Sequence, residues 1–289
     1  MRIAIYGSRR QHEYAGTIAL FLDTLRTAGI ETVMHRKLYS HLQEIMLEFD
    51  GTGIRVADGP DFGADLAVSL GGDGTFLRTA MWVAEKQIPI VGVNTGHLGF
   101  LTALTIDELP GLLDLIKCDG LRCERRALLR LDCEGVALHT WPYALNEITV
   151  AKEETSSMIS ALVEVDGAPL ATYRADGLLV CTATGSTAYN LSLGGPIVAP
   201  GVGVSIINPI AAHSLSMRPL VVGAASRITV TPQARAQHVR LSLDSRSMSV
   251  PAGTRLEISR APFTVCLMQR ADRTFASTLR DKLRWGGDN

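Results

Sequence analysis

At 289 residues, 46% of them hydrophobic and 20% charged, the chain is long enough for two domains and too apolar for wholesale disorder. A formal net charge of −1 leaves no electrostatic footprint for nucleic acid or an anionic membrane, so any phosphate is held locally. The first third alternates strand and helix signals. They run Ile3–Tyr6, a helical Thr17–Ala28, Glu31–Met34, a helical His41–Phe49, Leu66–Leu70, a glycine-rich loop, and Ile88–Val93. This is the βαβ rhythm of a parallel sheet. Loops are expected at Asp50–Gly53 and Ala57–Pro60, and the basic stretch Leu121–Arg126 reads as a solvated or interfacial connector in preference to one whose Arg122, Arg125 and Arg126 face a phosphate.

From about Leu128 to Leu267 the pattern changes to short β-branched segments between turn signals. Ile159–Val165 and Ala168–Arg174 flank Asp166-Gly167, a two-residue hairpin signal. Further strands are expected at Leu178–Thr182, Val204–Ile207, Arg227–Val230, Val239–Leu243, Leu256–Ser259 and Thr264–Leu267. The tail returns to helix, with Phe275, Leu279 and Leu283 on one face, as a docking helix would have them. The start Met1–Gly7 reads as a short buried strand, not a signal sequence, and no run approaches membrane-spanning length. Cys118, Cys123, Cys133, Cys181 and Cys266 are odd in number and form no CxxC pair, which fits reduced thiols. Together these features lead to the expectation of a cytoplasmic protein.

The loop Gly71-Gly72-Asp73-Gly74-Thr75 lies between the apolar run Leu66–Leu70 and a helix-like segment beginning at Phe76. A strand feeding a glycine-rich turn that opens a helix presents free N–H groups and a positive helix end to an anion. Thr75 could cap the helix. Asp73 either caps backbone groups in an ordinary turn, or collects a proton or meets a metal ion beside bound phosphate. Several nucleotide-binding signatures are absent. There is no Gly-Lys-Ser/Thr, the dinucleotide fingerprint fails at Leu77, His35-Arg36 is followed by Lys37 instead of Asp, and Gly185-Ser186-Thr187 is no nucleophile elbow.

A second cluster of glycine and hydroxyl residues runs from Arg174-Ala175-Asp176-Gly177 through Thr182–Ser192 to Gly194-Gly195-Pro196. It reads either as the lining of a narrow pocket, with Tyr189 as an aromatic surface, or as a polar turn with local caps. Asn146-Glu147 adds an amide beside an acceptor-only carboxylate suited to ribose hydroxyls.

These blocks together resemble the bacterial NAD kinases. The resemblance rests on Gly71–Thr75, Asn94–Leu101, Asn146-Glu147, Asp176-Gly177, Thr184–Tyr189 with Gly194–Ile197, Arg218-Pro219-Leu220 and Leu279–Trp285, in family order from about residue 66 to 285. Diacylglycerol, sphingosine and phosphofructo-kinases have loops similar to Gly71–Thr75; the blocks around Asn146-Glu147 and Thr184–Tyr189 narrow the choice. The resemblance implies a Rossmann-like α/β N-terminal domain (1–122), an all-β, sandwich-like domain (123–268), and a C-terminal helix (269–289) returning to the first domain, with NAD held in a cleft. It implies phosphoryl transfer from ATP, or polyphosphate in some members, to the 2′-hydroxyl of the adenosine ribose, with Mg²⁺ bridging phosphate oxygens.

By the same resemblance Asp73 is the proton acceptor, and Gly71, Gly72, Gly74 and Thr75 cradle the donor. Gly74, Arg78, Asn146, Glu147, Arg174, Asp176, Thr187, Ala188, Tyr189, Asn190, Leu191, Ser192, Ala211 and Arg246 would contact NAD, with Arg174 and Asp176 at the nicotinamide end, in some members from a neighbouring subunit. No protein residue is assigned to the metal. His97 and His213 fall inside family blocks as structural or catalytic residues. A homo-oligomer, dimer or tetramer, is implied.

Three positions depart from the family pattern: Ala183 where proline is usual, Ala212 where many members have a second proline, and Asp244-Ser245-Arg246 where many carry Asp-Gly-Gln. The last suggests that Arg246 alters substrate grip or regulation. Two other functions compete: a lipid or sugar kinase with the same loop, and a dinucleotide sensor without turnover, which an intact Asp73 opposes.

Overall fold

The computed structural model describes residues 1–7, 12–46, 49–96, 99–153 and 158–284. The chain divides into two compact units, one of Met1–Arg125 with Val265–Asn289, the other of Arg126–Thr264. No described helix is long and apolar enough to cross a membrane.

The first unit opens with β1 (Arg2–Gly7), α1 (Ala15–Thr27), β2 (Glu31–His35), α2 (Arg36–Ile45), β3 (Ile54–Ala57), β4 (Leu66–Leu70), α3 (Asp73–Val83), β5 (Ile90–Asn94), β6 (Leu104–Thr105) and α4 (Leu112–Lys117). Its strands run parallel in the order β5-β4-β1-β2-β3, with Ile5 opposite both Met34 and Val68. Parallel strands covered on both faces read as unbroken apolar runs, and β4 and β5 are buried at every residue. Ile18, Phe21 and Leu25 of α1 repeat at helical spacing and join Ile3, Ile5 and Val68 in one core. The order places β2 and β4 on opposite sides of β1. That reversal point, at the carboxyl ends of β1 and β4, is where open α/β sheets bind ligands, and Gly71 follows β4 there.

Two boundaries differ from the sequence reading. Helix α2 begins five residues before His41, because His35 Nδ1 accepts the Lys37 N–H at 3.2 Å and caps it early. Strand β3 fills the three residues between the two expected loops and takes in Ala57, the first residue of the second; with Ile54 and Val56 only half-buried and Arg55 exposed, it has the weak signal of an edge.

Strand β7 (Leu121–Cys133) carries the chain across the 125/126 boundary, so the basic stretch around Arg122–Arg126 is strand and not connector. The second unit continues with β8 (Tyr143–Ala144), β9 (Glu147–Lys152), β10 (Ile159–Val165), β11 (Ala168–Ala175), β12 (Gly177–Thr182), the single turn α5 (Tyr189–Ser192), β13 (Val204–Ile210), β14 (Leu220–Gly223), β15 (Ile228–Gln233), β16 (His238–Leu243), β17 (Arg246–Pro251) and β18 (Leu256–Arg270). Within it β11-β10-β15-β18 form one antiparallel sheet and β14-β13-β12-β9-β16-β17 the other. Alternate residues of both sheets, among them Val150, Val180 and Leu241 from one and Ala161, Val230 and Ile258 from the other, share a single apolar cluster, which makes this unit sandwich-like. Asp166 and Gly167 turn the β10–β11 hairpin with φ of 53° and 81°, both positive as a type I′ turn requires.

The two segments read as Leu256–Ser259 and Thr264–Leu267 are ends of one strand, β18; Pro262, which normally interrupts strands, sits inside it. Residues beyond 264 belong to the first unit, where Leu267 and Met268 pair with β5. Helix α6 (Phe275–Leu283) also belongs there; Thr274 and Ser277 cap it reciprocally, and Phe275, Leu279 and Leu283 are half-buried.

Not all cysteines are reduced, contrary to the sequence reading. Cys123 and Cys266, 143 residues apart, are disulfide-bonded with Cα atoms 5.6 Å apart, because β7 and β18 pair; Cys118, Cys133 and Cys181 are free. The cysteine count therefore says nothing about compartment. Non-reducing peptide mapping is expected to recover Cys123 and Cys266 in one crosslinked pair, and reduction to lower stability by roughly 2–4 kcal/mol. Separately alkylatable peptides from freshly purified protein would overturn the pairing.

Candidate active site

In the first unit the site is built around Asp73. Gly71 adopts φ 143°, and a Cβ there would lie 2.4 Å from Thr75 Oγ1, so only glycine fits this turn. Gly72 is the N-cap of α3, Asp73 is its first residue, and Thr75 is two positions further on; the capping role expected for Thr75 falls to Gly72. Thr75 is buried, and its Oγ1 accepts from Arg78 Nη2 at 3.2 Å. At Gly72 and Gly74 an added Cβ would meet nothing within 4 Å. Packing does not require glycine at these two positions; what it supplies is open backbone at a helix N-terminus, where a bound group can come close.

The Asp73 carboxylate does not cap its own helix. Oδ2 accepts the N–H of Phe100 and Oδ1 that of Leu101, each at 3.0 Å. Approach this close needs Gly99, where a Cβ would lie 1.7 Å from Oδ1. The 94–102 segment is itself tied together: Gly99 N–H donates to Thr102 Oγ1 at 2.7 Å, Asn94 Nδ2 to the same oxygen at 3.2 Å, and Gly96 N–H to Asn94 Oδ1 at 2.6 Å. Phe100 and Leu101, at the end of the block Asn94–Leu101, are thus the collar of the carboxylate. His97 and Leu98 within the block, and Trp285 in the tail, lie outside the described residues. A carboxylate has about four lone-pair sites, so each Asp73 oxygen keeps one for a hydroxyl.

Arg78 also lies beside Tyr6, the penultimate residue of β1; burial pushes the Tyr6 phenol up and the positive Arg78 opposes this. Sequence reasoning missed Tyr6. Its signal is position, since it ends the strand at which the sheet order reverses.

In the second unit Asn146 and Glu147 stand at the start of β9. Asn146 is buried and its carbonyl accepts the Thr182 N–H at 2.9 Å; among the described residues its side-chain amide takes no protein partner. A Cβ at Gly185 would lie 2.1 Å from that carbonyl, which is why the hydroxyl-rich turn carries glycine here. Glu147 Oε2 is buried with no hydrogen-bond partner, and the Tyr189 N–H lies near the carboxylate. Burial, and then the negative Asp244, push the Glu147 carboxyl up to about 7.

The turn itself is a 3-10 turn over Thr184–Thr187 followed by α5. Ala183 has φ −56°, within the range a proline ring would impose, so the loop keeps its shape without the ring. Asn190, expected to contact NAD, is a fully buried strut: Nδ2 donates to the carbonyls of Ser186 and Pro196, and Oδ1 accepts from Asn208. Thr187, Ala188 and Leu191 are half-buried, whereas Tyr189 and Ser192 are exposed and free to meet a ligand. Arg126, read from sequence as part of the basic stretch, is buried and donates to Thr184 Oγ1 at 3.4 Å.

Arg174, Asp176 and Ala211 gather at the other end of β12. His213 N–H donates to the Arg174 carbonyl, Asp176 N–H to that of Ile210, and Asp176 Oδ1 pairs with Lys152 Nζ at 2.8 Å. Ala211 is exposed at φ 48°, and His213 and Arg174 are exposed. Six-residue β12 holds this group roughly 17 Å from the Thr182 end, so the structure does not bring it together with Asn146 and Glu147.

Arg246 is held by the protein itself. Its guanidinium donates to Thr140 Oγ1 at 3.2 Å, to the Trp141 carbonyl at 2.6 Å and to the Tyr143 carbonyl, knitting the 140–143 segment together. The longer cation is used internally, and nothing in its surroundings supports a change in substrate grip. Among the described residues no three His, Cys, Asp or Glu side chains could hold a metal ion. A divalent ion that arrives on nucleotide phosphates needs only one or two protein carboxylates, and the single Asp73 fits that requirement.

The model of the ATP-NAD kinase N-terminal domain matches residues 21–119, and that of the ATP-NAD kinase C-terminal domain residues 145–269. NAD kinase of Bacteroides fragilis is 38% identical over 289 residues, covering 100% of this chain and 99% of its own length. NAD kinase of Porphyromonas gingivalis is 40% identical over 285 residues, covering 99% and 98%. Yeast NADH kinase, solved with NADH, matches with a TM-score of 0.89 at 22% identity, over 100% of this chain and 89% of that one. An NAD kinase from Archaeoglobus fulgidus, solved with ATP, matches with a TM-score of 0.73 at 24% identity, over 97% and 99%. At these identities the two solved structures establish a shared fold.

Proposed function

The chain belongs to the NAD kinase family, and from that premise we propose that it transfers the terminal phosphoryl group of ATP to the 2′-hydroxyl of the adenosine ribose of NAD, giving NADP and ADP. The observation that carries the reading is Asp73. Its carboxylate is locked by two N–H donors from a dedicated collar, beside two glycines that packing does not require.

In the reaction the 2′-oxygen forms a bond to the γ-phosphorus as the bond to the β,γ-bridging oxygen breaks. The hydroxyl proton passes to a free lone pair of Asp73. A ribose hydroxyl is a very weak acid, so Asp73 orients it first and takes the proton late, as metaphosphate-like character develops. The open N–H groups of the first turn of α3, and Arg78 beside Tyr6 and Thr75, meet the charge of the donor. A divalent ion, Mg²⁺ in our reading, neutralises phosphate charge when bound with ATP.

Glu147 and Asn146 serve the ribose hydroxyls and base edge, with Tyr189 and Ser192 beside them. Arg174, Asp176 and Ala211, held apart by the length of β12, suit the nicotinamide end of a dinucleotide bound to a neighbouring copy, which is our reason for reading the protein as a homo-oligomer. A cytoplasmic location fits such substrates.

The test is direct. Purified protein with NAD and Mg-ATP is expected to yield NADP, read by an NADP-specific dehydrogenase, with formation abolished by EDTA; NAD binding without NADP would replace the kinase with a sensor.

A further inference from the structure

We propose that Asp244 is a positioning residue for this reaction: its carboxylate, held against the backbone of Leu145, Asn146 and Glu147, fixes the two side chains that meet the adenosine ribose and faces Glu147 with a negative charge. The inference rests on the kinase reading of the Glu147 site and assigns a residue to it that contacts no substrate.

Asp244 lies in the tight turn between β16 and β17 at φ 50°, in the left-handed region that Asp tolerates better than most residues. Its Oδ1 accepts the N–H groups of Asn146 at 2.8 Å and Glu147 at 3.2 Å, and Oδ2 that of Leu145 at 3.0 Å. The Asp244 N–H donates in return to the Glu147 carbonyl at 2.9 Å. Three consecutive N–H groups at the entry of a strand are gripped by one side chain 97 to 99 residues away. A neutral amide cannot replace it, since it offers one acceptor where two are used.

The groups around Glu147 decide where charge sits. Asp244 faces it from the β16–β17 turn, and the Cys181 thiol, held neutral by burial, lies opposite on β12. The Tyr189 N–H approaches from α5, and Arg246 Nη2 stands 4.0 Å from the far oxygen of Asp244. Burial pushes the Asp244 carboxyl up, but three N–H donors and Arg246 oppose this. Glu147 Oε2 has no donor. Of the two carboxylates, Asp244 keeps the charge, and a proton shared by the pair resides on Glu147. Ribose hydroxyls that donate to Glu147 favour its ionised form, so NAD binds as that proton leaves.

The experiment is a pH profile of kcat/KM for NAD in the wild type, Asp244→Asn, Asp244→Glu and Glu147→Gln. The wild type is expected to show an acid limb, rising with pH, whose midpoint is at about 7. Asp244→Asn should raise KM for NAD at least tenfold, leave KM for ATP within about threefold, and move the limb to lower pH because the repelling charge is gone. Asp244→Glu keeps the charge but displaces the grip, so KM for NAD rises and the limb stays. Glu147→Gln leaves the three N–H bonds in place and must erase the limb, which keeps the test valid if the Asp244 variants do not fold. An unmoved limb in Asp244→Asn, or a limb surviving in Glu147→Gln, would overturn the proposal. A ¹³C titration of the Glu147 carboxyl in wild type and Asp244→Asn reads the same coupling without turnover, so failure of the kinase reading and failure of this inference remain distinguishable.

Discussion

Asp73→Asn is expected to lower kcat for NADP formation by about 10²- to 10⁴-fold, the range for loss of a positioned proton acceptor, while KM for NAD and for ATP change by less than about fivefold. The geometry explains why the loss falls on kcat. Both carboxylate oxygens already accept an N–H, so what the hydroxyl of NAD finds is one remaining lone pair on an atom held to within hydrogen-bond tolerance. An amide keeps one acceptor and turns its NH₂ toward the other N–H, a donor against a donor, at a cost of about 1–3 kcal/mol. A small fall in melting temperature therefore accompanies the variant. The two losses separate by calorimetric titration with NAD: binding retained and turnover lost marks missing chemistry. A kcat within threefold of wild type would remove Asp73 from the reaction.

The parts of this site legible in the sequence are those built from local patterns. Leu66–Leu70 announces a strand buried on both faces, and Gly71–Thr75 announces an anion-ready helix start, because each depends only on neighbours in the chain. The purpose of Asn94–Leu101 was not legible, since its N–H groups meet Asp73 across 27 and 28 residues. Asp244 is the stronger case. Nothing in Leu243-Asp244-Ser245-Arg246 says that the turn closes on Leu145, because that depends on the register of β16 against β9, where Leu243 lies opposite Ile148. Register likewise places Arg246 beside three acceptors on 140–143, which no local pattern in the turn announces. Asn190 reads as a pocket amide from composition, and only the packing of Gly195, where a Cβ would lie 2.0 Å from its Oδ1, makes it a strut.

Glu147→Gln is expected to make the protein more stable and less active at pH 8. The folded state raises the Glu147 carboxyl from an ordinary 4.5 to about 7, so it binds a proton more tightly than the unfolded chain does. Stability from this group is fully present below about pH 4.5 and is lost as pH rises through 7, because folding then confines a bare charge in a buried site beside Asp244. The loss is on the order of 3 kcal/mol at pH 8 for a shift of this size. Glutamine carries no charge to confine, so the variant should melt several degrees higher than wild type at pH 8, with the gap nearly closed at pH 5. At pH 8 its kcat/KM for NAD should fall by about 10- to 100-fold, the value of a hydrogen bond to a charged acceptor. An equal melting gap at both pH values would mean that Glu147 is not the group titrating. Stability gained with activity lost, in the pH window the buried carboxylate sets, identifies Glu147 as a residue kept in a costly state because the ribose needs an unpaired acceptor there.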